Sequence, residues 1–403
     1  MRPQAGLTCA LIAIGACTGS GVRTANVTSR DSAGILIVET SAPTWSAENG
    51  WQLASEPHLS IGREEGDPEY LFDGIRGVLR LTDGRIVVAD GGSSQIRFFG
   101  PSGEYVEAVG RAGEGPGEFR FMGSMWRHGT DSLVVTDLPG VTFMGSDGRF
   151  ARRSVVELAE GQYRGNPVGQ LDDGALLVVT GSRGFSPADA GTVIRDSLRF
   201  FWYNADGTFG GPITLLPSAE RWGLQAGGVT TFPYLPFASN PMWTASGDRF
   251  YIGAGRRPEV SLWRADGTLE RVLRWSKADR PVTDALREQF RAYALESARD
   301  ANDRRRVERF LAEAPIAESL PAYRSMLVDE EQNLWLEAYR PPWELASSWD
   351  VLTAEGEWLG SVSMPARFTP YQIGSSFVLG VSRDELGVER VESLRLAKST
   401  SDR

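Results

Sequence analysis

Short apolar runs separated by two-residue turns recur along most of this chain of 403 residues. The first complete unit, GVLRLTDGRIVVADGGSSQIRFFGPSGEYVEAVG at residues 77–110, contains four such runs, and residues 124–155 repeat the pattern. Runs of this length are too short for stable helices, whereas Asp-Gly between apolar runs is the strongest local signal of a β-hairpin. The repeat therefore predicts antiparallel units of four strands each.

Six units of this kind follow one another, and the sixth lacks a strand. Two ADGT turns, at Ala205 and Ala265, occupy the same place in the third and fourth units. The segment WQLASEPHLSIG, from Trp51, is a spare strand that can complete the sixth unit and close a ring, which removes exposed sheet edges. The sequence thus predicts an all-β fold, a six-bladed β-propeller over residues 46–398 whose N-terminal strand closes the last blade. A stack of β-sandwiches is the alternative, but it leaves the regular turns and the spare strand unexplained.

One segment, residues 276–320, has helical periodicity instead. Leu286, Phe290 and Tyr293 fall on one helical face, and Val307 and Phe310 do so again after a polar break. This pattern predicts a helical hairpin inserted between blades 4 and 5. Its role is left open between a cap on the propeller surface and a lid over the central channel.

The stretch GRAGEGPGEF, residues 110–119, has the glycine density of a phosphate-binding loop. A P-loop needs a Lys-Ser or Lys-Thr pair leading into a helix, and a dinucleotide site needs a helix that begins within the glycines. Here strand-like runs come before and after the glycines, and Pro116 disfavours a helix across them. We interpret the stretch as the crossover between two blades.

The first residues are typical of an export signal. Residues 1–17 contain one early arginine, an apolar run too short to span a bilayer, and the sequence IGAC, which is similar to a bacterial lipoprotein box ending at Cys17. We expect Cys17 to be lipidated and residues 18–45 to form a flexible tether. An ordinary secretory peptide is the alternative. Either signal places the protein in the cell envelope, lipid-anchored at the outer membrane, or outside the cell.

Composition excludes several classes of function. A formal net charge of -10 argues against a nucleic-acid partner, because phosphate binding needs clustered basic side chains. The two cysteines both lie within the first seventeen residues, so the rest of the chain has no thiolate metal site. His58 and His128 are the only histidines, which leaves no three-histidine zinc site.

The motif GRAGEGPGEF, together with DGRIVVADGGSSQIRFFGPSGEYVEAVG, resembles NHL-type propeller repeats. The C-terminal run from LPAYRSMLVDEEQNLWLEAYRPPWE onward resembles six-bladed propeller proteins of bacteria such as Gemmatimonadota, most of them exported and without a defined activity. The resemblance covers about residues 50–397 and implies a propeller fold and export, but it implies no particular chemistry.

Carboxylates recur in two patterns. Asp90 and Asp137 end equivalent strands, where an aspartate usually accepts N–H bonds from the turn that follows, and metal binding is the alternative. The acidic stretch REEGDPEYLFD, residues 63–73, has oxygen ligands suited to calcium but lacks the spacing of a calcium loop. We expect a solvated surface turn there.

Tryptophan and arginine side chains at strand starts and loops are the best binding candidates, because these two residue types are enriched in binding hot spots. Core packing is the alternative for each tryptophan. The sequence also offers one amide, Asn240, just before an inner strand. The candidates are Trp126, Arg127, Asn240, Trp243, Arg256, Arg340, Trp343 and Arg383.

These observations predict a ligand- or protein-binding module that uses one face of the ring, without a cofactor and without catalytic residues. The alternative is a metal-dependent hydrolase that resembles gluconolactonases and holds a divalent cation such as calcium in the channel. The sequence supplies Asn240 for such a site but no matching set of carboxylates on other blades. A scaffold for envelope assembly is a third hypothesis.

Overall fold

Six antiparallel sheets form the blades of a propeller in the computed structural model, which describes residues 26–46, 48–157, 165–181 and 184–398. Signal residues 1–17, including Cys17, lie outside the described residues. The first strands of successive blades contact one another around the whole circle, and the sixth contacts the first. The predicted all-β six-bladed propeller is therefore confirmed.

Among the described residues, four strands come before the first blade: β1 (Val27–Ser32), β2 (Ile35–Thr40), β3 (Gln52–Leu53) and β4 (Leu59–Ile61). Blade 1 contains β5 (Ile75–Arg80), β6 (Ile86–Asp90), β7 (Gln95–Phe99) and β8 (Tyr105–Val109). Blade 2 contains β9 (Met122–His128), β10 (Ser132–Asp137), β11 (Gly140–Met144) and β12 (Phe150–Val155). A single 3₁₀ turn, Pro68–Tyr70, precedes blade 1.

Blade 3 contains β13 (Asn166–Gln170), β14 (Leu176–Gly181), β16 (Ser197–Tyr203) and β17 (Phe209–Pro217). Its long excursions carry a 3₁₀ turn, Pro187–Asp189, and the short strands β15 (Val193–Ile194), β18 (Arg221–Trp222), β19 (Leu224–Ala226) and β20 (Val229–Thr231). Blade 4 contains β21 (Met242–Ser246), β22 (Arg249–Gly253), β23 (Glu259–Arg264) and β24 (Leu269–Trp275).

Helices α1 (Asp284–Glu296) and α2 (Ala301–Glu313) follow blade 4. Blade 5 contains β25 (Tyr323–Val328), β26 (Leu334–Ala338), β27 (Ser347–Leu352) and β28 (Trp358–Met364). Blade 6 contains β29 (Phe368–Ile373), β30 (Phe377–Arg383) and β31 (Glu389–Ala397).

Apolar side chains from adjacent blades pack face to face and form the core. Every residue of β6 is buried, because a central strand of a blade is covered by neighbouring blades on both faces. Between blades 1 and 2, for example, Val87 and Phe98 pack in one cluster with Met125 and Leu133. This packing makes the ring a rigid support for loops at its two ends.

The N-terminal segment completes blade 6, as we predicted from the spare strand in the sequence. Leu53 of β3 pairs with Leu396 of β31, and Ile61 of β4 pairs with Val391 of the same strand, both antiparallel. The Ile61 side chain is 2% exposed and packs with residues of blades 1 and 6. The two ends of the chain thus close the ring.

The tether predicted for residues 18–45 is wrong over residues 27–40. Strands β1 and β2 form a hairpin, and β2 extends the sheet of blade 4 by pairing parallel to β24, with Val38 opposite Leu273. Val38 is 3% exposed. Burial of the apolar run ILIV, residues 35–38, holds the hairpin against blade 4. A solvated tether is polar and does not contain such a run.

The helical hairpin predicted between blades 4 and 5 is confirmed. The Thr283 hydroxyl caps α1 by accepting the N–H of Leu286 at 3.3 Å, and the Asp300 carboxylate caps α2 by accepting the N–H of Asp303 at 2.8 Å. The hairpin lies against Phe237, which belongs to the crossover before blade 4.

The glycine-rich stretch joins β8 to β9 and is therefore the crossover between blades 1 and 2. Its Phe119 is fully buried, and a Cβ added to Gly110, whose φ is +89°, would lie 2.7 Å from the Phe119 ring. Gly110 is needed there both for its positive φ and for its lack of a side chain. Glu118 fixes the tip of the loop by accepting the N–H of Gly115 at 2.9 Å.

Candidate functional site

The central channel has two different ends. All six inner strands run in the same direction, and the crossovers that precede them, including the one that carries α1 and α2, lie at one end, which we call the insertion face. The hairpin turns that follow the inner strands lie at the opposite end, the turn face. The two faces hold different subsets of the candidate residues.

At the turn face the channel is crossed by an ion pair. Arg127, near the end of β9 in blade 2, lies with its Nη2 atom 3.5 Å from Glu330 Oε1 of blade 5, on the opposite side of the ring. Gln372 Nε2 of blade 6 donates to the same Glu330 oxygen at 2.7 Å, and Gln372 Oε1 accepts the N–H of Arg80 at 2.6 Å. These contacts bridge the channel at its turn-face end.

Other polar contacts at the turn face join neighbouring blades. Trp126 Nε1 of blade 2 donates to Gln170 Oε1 of blade 3 at 3.4 Å, and Ser246 Oγ of blade 4 donates to Gln332 Oε1 of blade 5 at 3.2 Å. The structure thus places Trp126 and Arg127 in contacts between blades.

On the insertion face, a cavity of about 280 Å³ lies between blades 4 and 5, and we call it the mouth pocket. It brings together two sequence candidates, Asn240 and Arg340, with residues that the sequence analysis did not single out. The lining residues are Ala238, Asn240, Met242, Pro321, Tyr323, Arg324, Tyr339, Arg340 and Pro342.

Arg324 reaches this pocket because of a β-bulge. The register of β25 against β26 shifts between Tyr323 and Ser325, so the bulged residue Arg324 has no opposite partner and is exposed, while Tyr323 is buried. Bulges commonly re-aim a side chain in this way. In blade 1 the register shift between Ile75 and Gly77 leaves an arginine, Arg76, at the equivalent place.

Two guanidinium groups share one buried carboxylate below the pocket. Glu337 is 8% exposed, and it accepts a hydrogen bond from Arg340 Nε at 2.9 Å while lying 3.7 Å from Arg324 Nε. Arg340 also donates to the carbonyl of Glu344. A guanidinium has five N–H donors, so both arginines keep donors for a ligand.

Tyr339 also lines this pocket. Burial raises the pKa of its phenol, and the nearby positive charges of Arg324 and Arg280 oppose that rise. The phenol therefore stays protonated near neutral pH and can act as a hydrogen-bond donor. The pocket combines cationic, amide and hydroxyl donors with apolar walls from proline and methionine.

The helical insertion stands beside this pocket. Trp343, which follows the pocket residue Pro342, packs its ring against Tyr293 of α1 at 5.6 Å and against Phe237 at 6.5 Å. Phe290 of α1 packs on Phe237 at 5.4 Å. Trp343 thus anchors the insertion to blade 5 and the preceding crossover.

The remaining candidates do not line the mouth pocket. Trp243 packs edge-on against Phe200 of blade 3, and Arg383 pairs with the buried Glu389, whose other oxygen accepts the N–H of Ile75 at 2.8 Å. Arg256 is exposed on the turn between β22 and β23.

The repeated aspartates fix crossovers, and their partners differ from those expected. Asp137 is fully buried and accepts the N–H groups of Arg120 and Phe121, each at 2.9 Å, while Arg153 Nη2 lies 2.9 Å from its other oxygen. The N–H donors thus belong to the crossover before the blade, not to the turn that follows the strand. Asp90, one blade earlier, accepts the equivalent crossover N–H, that of Asp73, at 3.1 Å, and its other oxygen lies 2.9 Å from Arg97 Nη2 of β7.

Within the described residues, no group of three or more His, Cys, Asp or Glu side chains is arranged to hold a metal ion. In the acidic stretch before blade 1, the exposed Asp67 lies 3.6 Å from Arg63. No helix in the described part of the chain is both long enough and apolar enough to cross a membrane.

Sequence reasoning missed Arg324, Glu337 and Tyr339. The sequence feature that could have indicated Arg324 is its position at the start of an inner strand, which Arg76 shares. The bulge that exposes Arg324, however, depends on how β25 pairs with β26. Glu337 lies inside an apolar strand, where a carboxylate is unusual and hints at a charged partner.

Comparison with known proteins agrees with this architecture. A family model, DUF5128, described as a 6-bladed beta-propeller, matches residues 67–144, which cover blade 1 and blade 2 as far as β11. No curated protein sequence matches the chain. The finer resemblance to NHL repeats stays a prediction.

Three solved structures illustrate the likeness. A protein from Bacteroides fragilis, described as exported, is 13% identical with a TM-score of 0.48, and the match covers 90% of this chain and 99% of that one. A DUF4221 family member from Bacteroides vulgatus is 12% identical with a TM-score of 0.48, covering 87% and 99%. An aldose sugar dehydrogenase from Streptomyces coelicolor is 10% identical with a TM-score of 0.44, covering 87% and 99%.

Likenesses this distant carry no argument about activity. The fold rests on this chain's own sheets and on the family match over its first blades. Together they identify the chain as a six-bladed β-propeller.

Proposed function

We propose that this protein is an exported binding module that takes an anionic group of its ligand into the mouth pocket on the insertion face. The observation that carries the proposal is the bulged Arg324, which lies at the pocket and whose one ion-pair partner among the described residues, Glu337, is 3.7 Å away. That carboxylate is already hydrogen-bonded to Arg340 at 2.9 Å. An anionic ligand group can therefore accept hydrogen bonds from Arg324 without breaking an existing close pair.

Local charge supports the same conclusion. Around Tyr339 lie the guanidinium groups of Arg280, Arg324 and Arg340 and the carboxylates of Glu337 and Glu344, so positive charge is in excess there. The whole chain carries a formal charge of -10. A positive opening in an acidic protein draws small anions to that opening.

The volume of the mouth pocket limits the size of the ligand group that it can bind. A cavity of about 280 Å³ lies just below the usual range for ligand sites, about 300–1,000 Å³, and suits a single sugar-sized unit or the end of a longer molecule. Pro321 and Pro342 supply rigid apolar walls against which such a unit can pack.

The first test compares glucuronate with glucose, which differs by the absence of a carboxylate, by isothermal titration calorimetry. We expect glucuronate to bind more tightly, and Arg324→Gln to weaken glucuronate binding about tenfold, since a hydrogen bond to a charged group contributes about 1.5–3 kcal/mol. Arg305→Gln on α2, also an exposed arginine, is the matched control and should leave binding unchanged. Equal binding of glucose and glucuronate, or no effect of Arg324→Gln, would contradict the proposal.

We also propose, from the export signal in residues 1–17, that the protein is exported and anchored to the membrane by a lipid on Cys17. In a bacterial host supplied with labelled palmitate, we expect the label to be incorporated by the wild-type chain and lost in Cys17→Ser. Incorporation that persists in Cys17→Ser would contradict lipidation at this residue. Recovery of both chains in the cytoplasm would contradict export itself.

A further inference from the structure

A second concavity, the outer cleft, lies on the same face of blade 4 as the mouth pocket. Its volume is about 610 Å³, and it exists because the hairpin of β1 and β2 extends the blade beside β24. The lining residues are Asn26, Thr28, Glu39, Thr40, Ser41, Arg257, Pro258, Glu259, Arg274, Trp275 and Ser276.

A single turn separates the outer cleft from the mouth pocket. This turn, residues 254–258, joins β22 to β23. On one side, the turn contacts the mouth-pocket residue Asn240. Gly255 lies so close to Asn240 that a Cβ added to the glycine would be 2.5 Å from the Asn240 carbonyl. At the other side Arg257 lines the outer cleft. Two residues of chain span at most about 7 Å, so the two concavities are neighbours.

The turn itself carries Arg256 and Arg257, and both are exposed. Within the described ranges, neither side chain makes an ion pair or a hydrogen bond. Two adjacent, unpaired guanidinium groups between two cavities are suited to binding a negatively charged group of a ligand that extends from one cavity to the other.

The outer cleft is balanced in charge. Arg274 donates to Glu259 at 2.6 Å and to Glu39 at 3.0 Å, so one guanidinium neutralises part of two carboxylates. The hydroxyls of Thr28 and Ser41 lie beside them. A ligand unit placed here meets hydrogen-bond acceptors as well as donors, which suits a neutral unit rich in hydroxyl groups.

We propose that the mouth pocket, the turn with Arg256 and Arg257, and the outer cleft form one continuous path for a linear oligosaccharide that carries carboxylates on some of its units. The proposal rests on the proposed function, because the charged end of the oligosaccharide occupies the mouth pocket. An acidic peptide fits less well, since its successive carboxylates would face Glu39 and Glu259 in the outer cleft.

The test uses a tetrasaccharide of alternating glucuronate and N-acetylglucosamine, with free glucuronate as the short ligand, measured by calorimetry on the whole protein. We expect the tetrasaccharide to bind at least about tenfold more tightly than glucuronate, since each tenfold step corresponds to about 1.4 kcal/mol of added contact. In Arg256→Gln/Arg257→Gln this advantage should disappear, while glucuronate affinity stays unchanged. Arg291→Gln/Arg305→Gln on the helical insertion removes the same charge elsewhere and should keep the advantage.

The results that would contradict the continuous path differ from those that would contradict the proposed function. An advantage that persists in Arg256→Gln/Arg257→Gln would overturn the continuous path and leave the mouth pocket standing. Equal affinity for a neutral tetrasaccharide of N-acetylglucosamine would overturn the charge requirement, and equal affinity for tetraglutamate would overturn the choice of a saccharide. Absence of glucuronate binding to the wild-type protein would overturn the proposed function, and the extended path with it.

Discussion

At the scale of single residues, buried charges in this protein hold the crossovers in place. Asp137 is the clearest case, because its carboxylate receives two N–H groups of the crossover before blade 2 and faces the guanidinium of Arg153. A fully buried carboxylate is stable only when its partners are complete. The crossover therefore depends on one side chain.

We expect Asp137→Ala to lower the free energy of unfolding by about 3 kcal/mol, because the change leaves two N–H groups of the crossover and a guanidinium without their acceptor. Glu107→Ala, which removes an exposed carboxylate of β8, should change it by less than about 0.5 kcal/mol. Urea denaturation followed by tryptophan fluorescence measures both. Similar midpoints for the two variants would contradict this role of Asp137.

At the scale of elements, ring closure depends on a very short strand. β4 has three residues, and Ile61 supplies its buried contact with blades 1 and 6. Closing the ring removes the sheet edge that blade 6 would otherwise expose. A small loss of packing at β4 therefore weakens the joint between the first and last blades.

Ile61→Ala should destabilise the protein by about 2–4 kcal/mol, the usual range for truncating a fully buried isoleucine. The control is Val106→Ala, because Val106 of β8 is 50% exposed and its loss leaves no cavity. Hydrogen exchange then locates the effect, since faster exchange is expected in β31 and in β5. Faster exchange spread evenly over all blades would contradict a local closure.

At the scale of the whole molecule, the two ends of the channel carry different features. The turn face is crossed by the pair between Arg127 and Glu330, and the insertion face carries the mouth pocket and the outer cleft. The proposed binding at the insertion face uses arginine, amide and hydroxyl donors, so we predict that it requires no metal ion.

Extensive dialysis against a chelator should therefore leave both the melting temperature and glucuronate binding unchanged. Elemental analysis of the purified protein before dialysis completes the experiment. A divalent cation present at one per chain, together with loss of binding after its removal, would favour the metal-dependent hydrolase instead.

The sequence by itself determined the all-β class, the six blades, the closing strand and the helical insertion. Each of these follows from local patterns: turn residues such as Asp-Gly, strand-length apolar runs, and helical spacing around Phe290. It also identified the glycine-rich stretch as a crossover, because the strand-like runs on both sides excluded a nucleotide loop.

Only the tertiary structure decided which side chains meet. The pocket joins Asn240, of the crossover before blade 4, to Arg324 and Arg340 of blade 5, and the bulge at Arg324 arises from strand register that no local pattern encodes. The hairpin of β1 and β2 became part of blade 4 because Val38 finds a buried place beside Leu273, far away in sequence. Local propensity sets the elements, whereas burial and charge pairing between distant segments set the site.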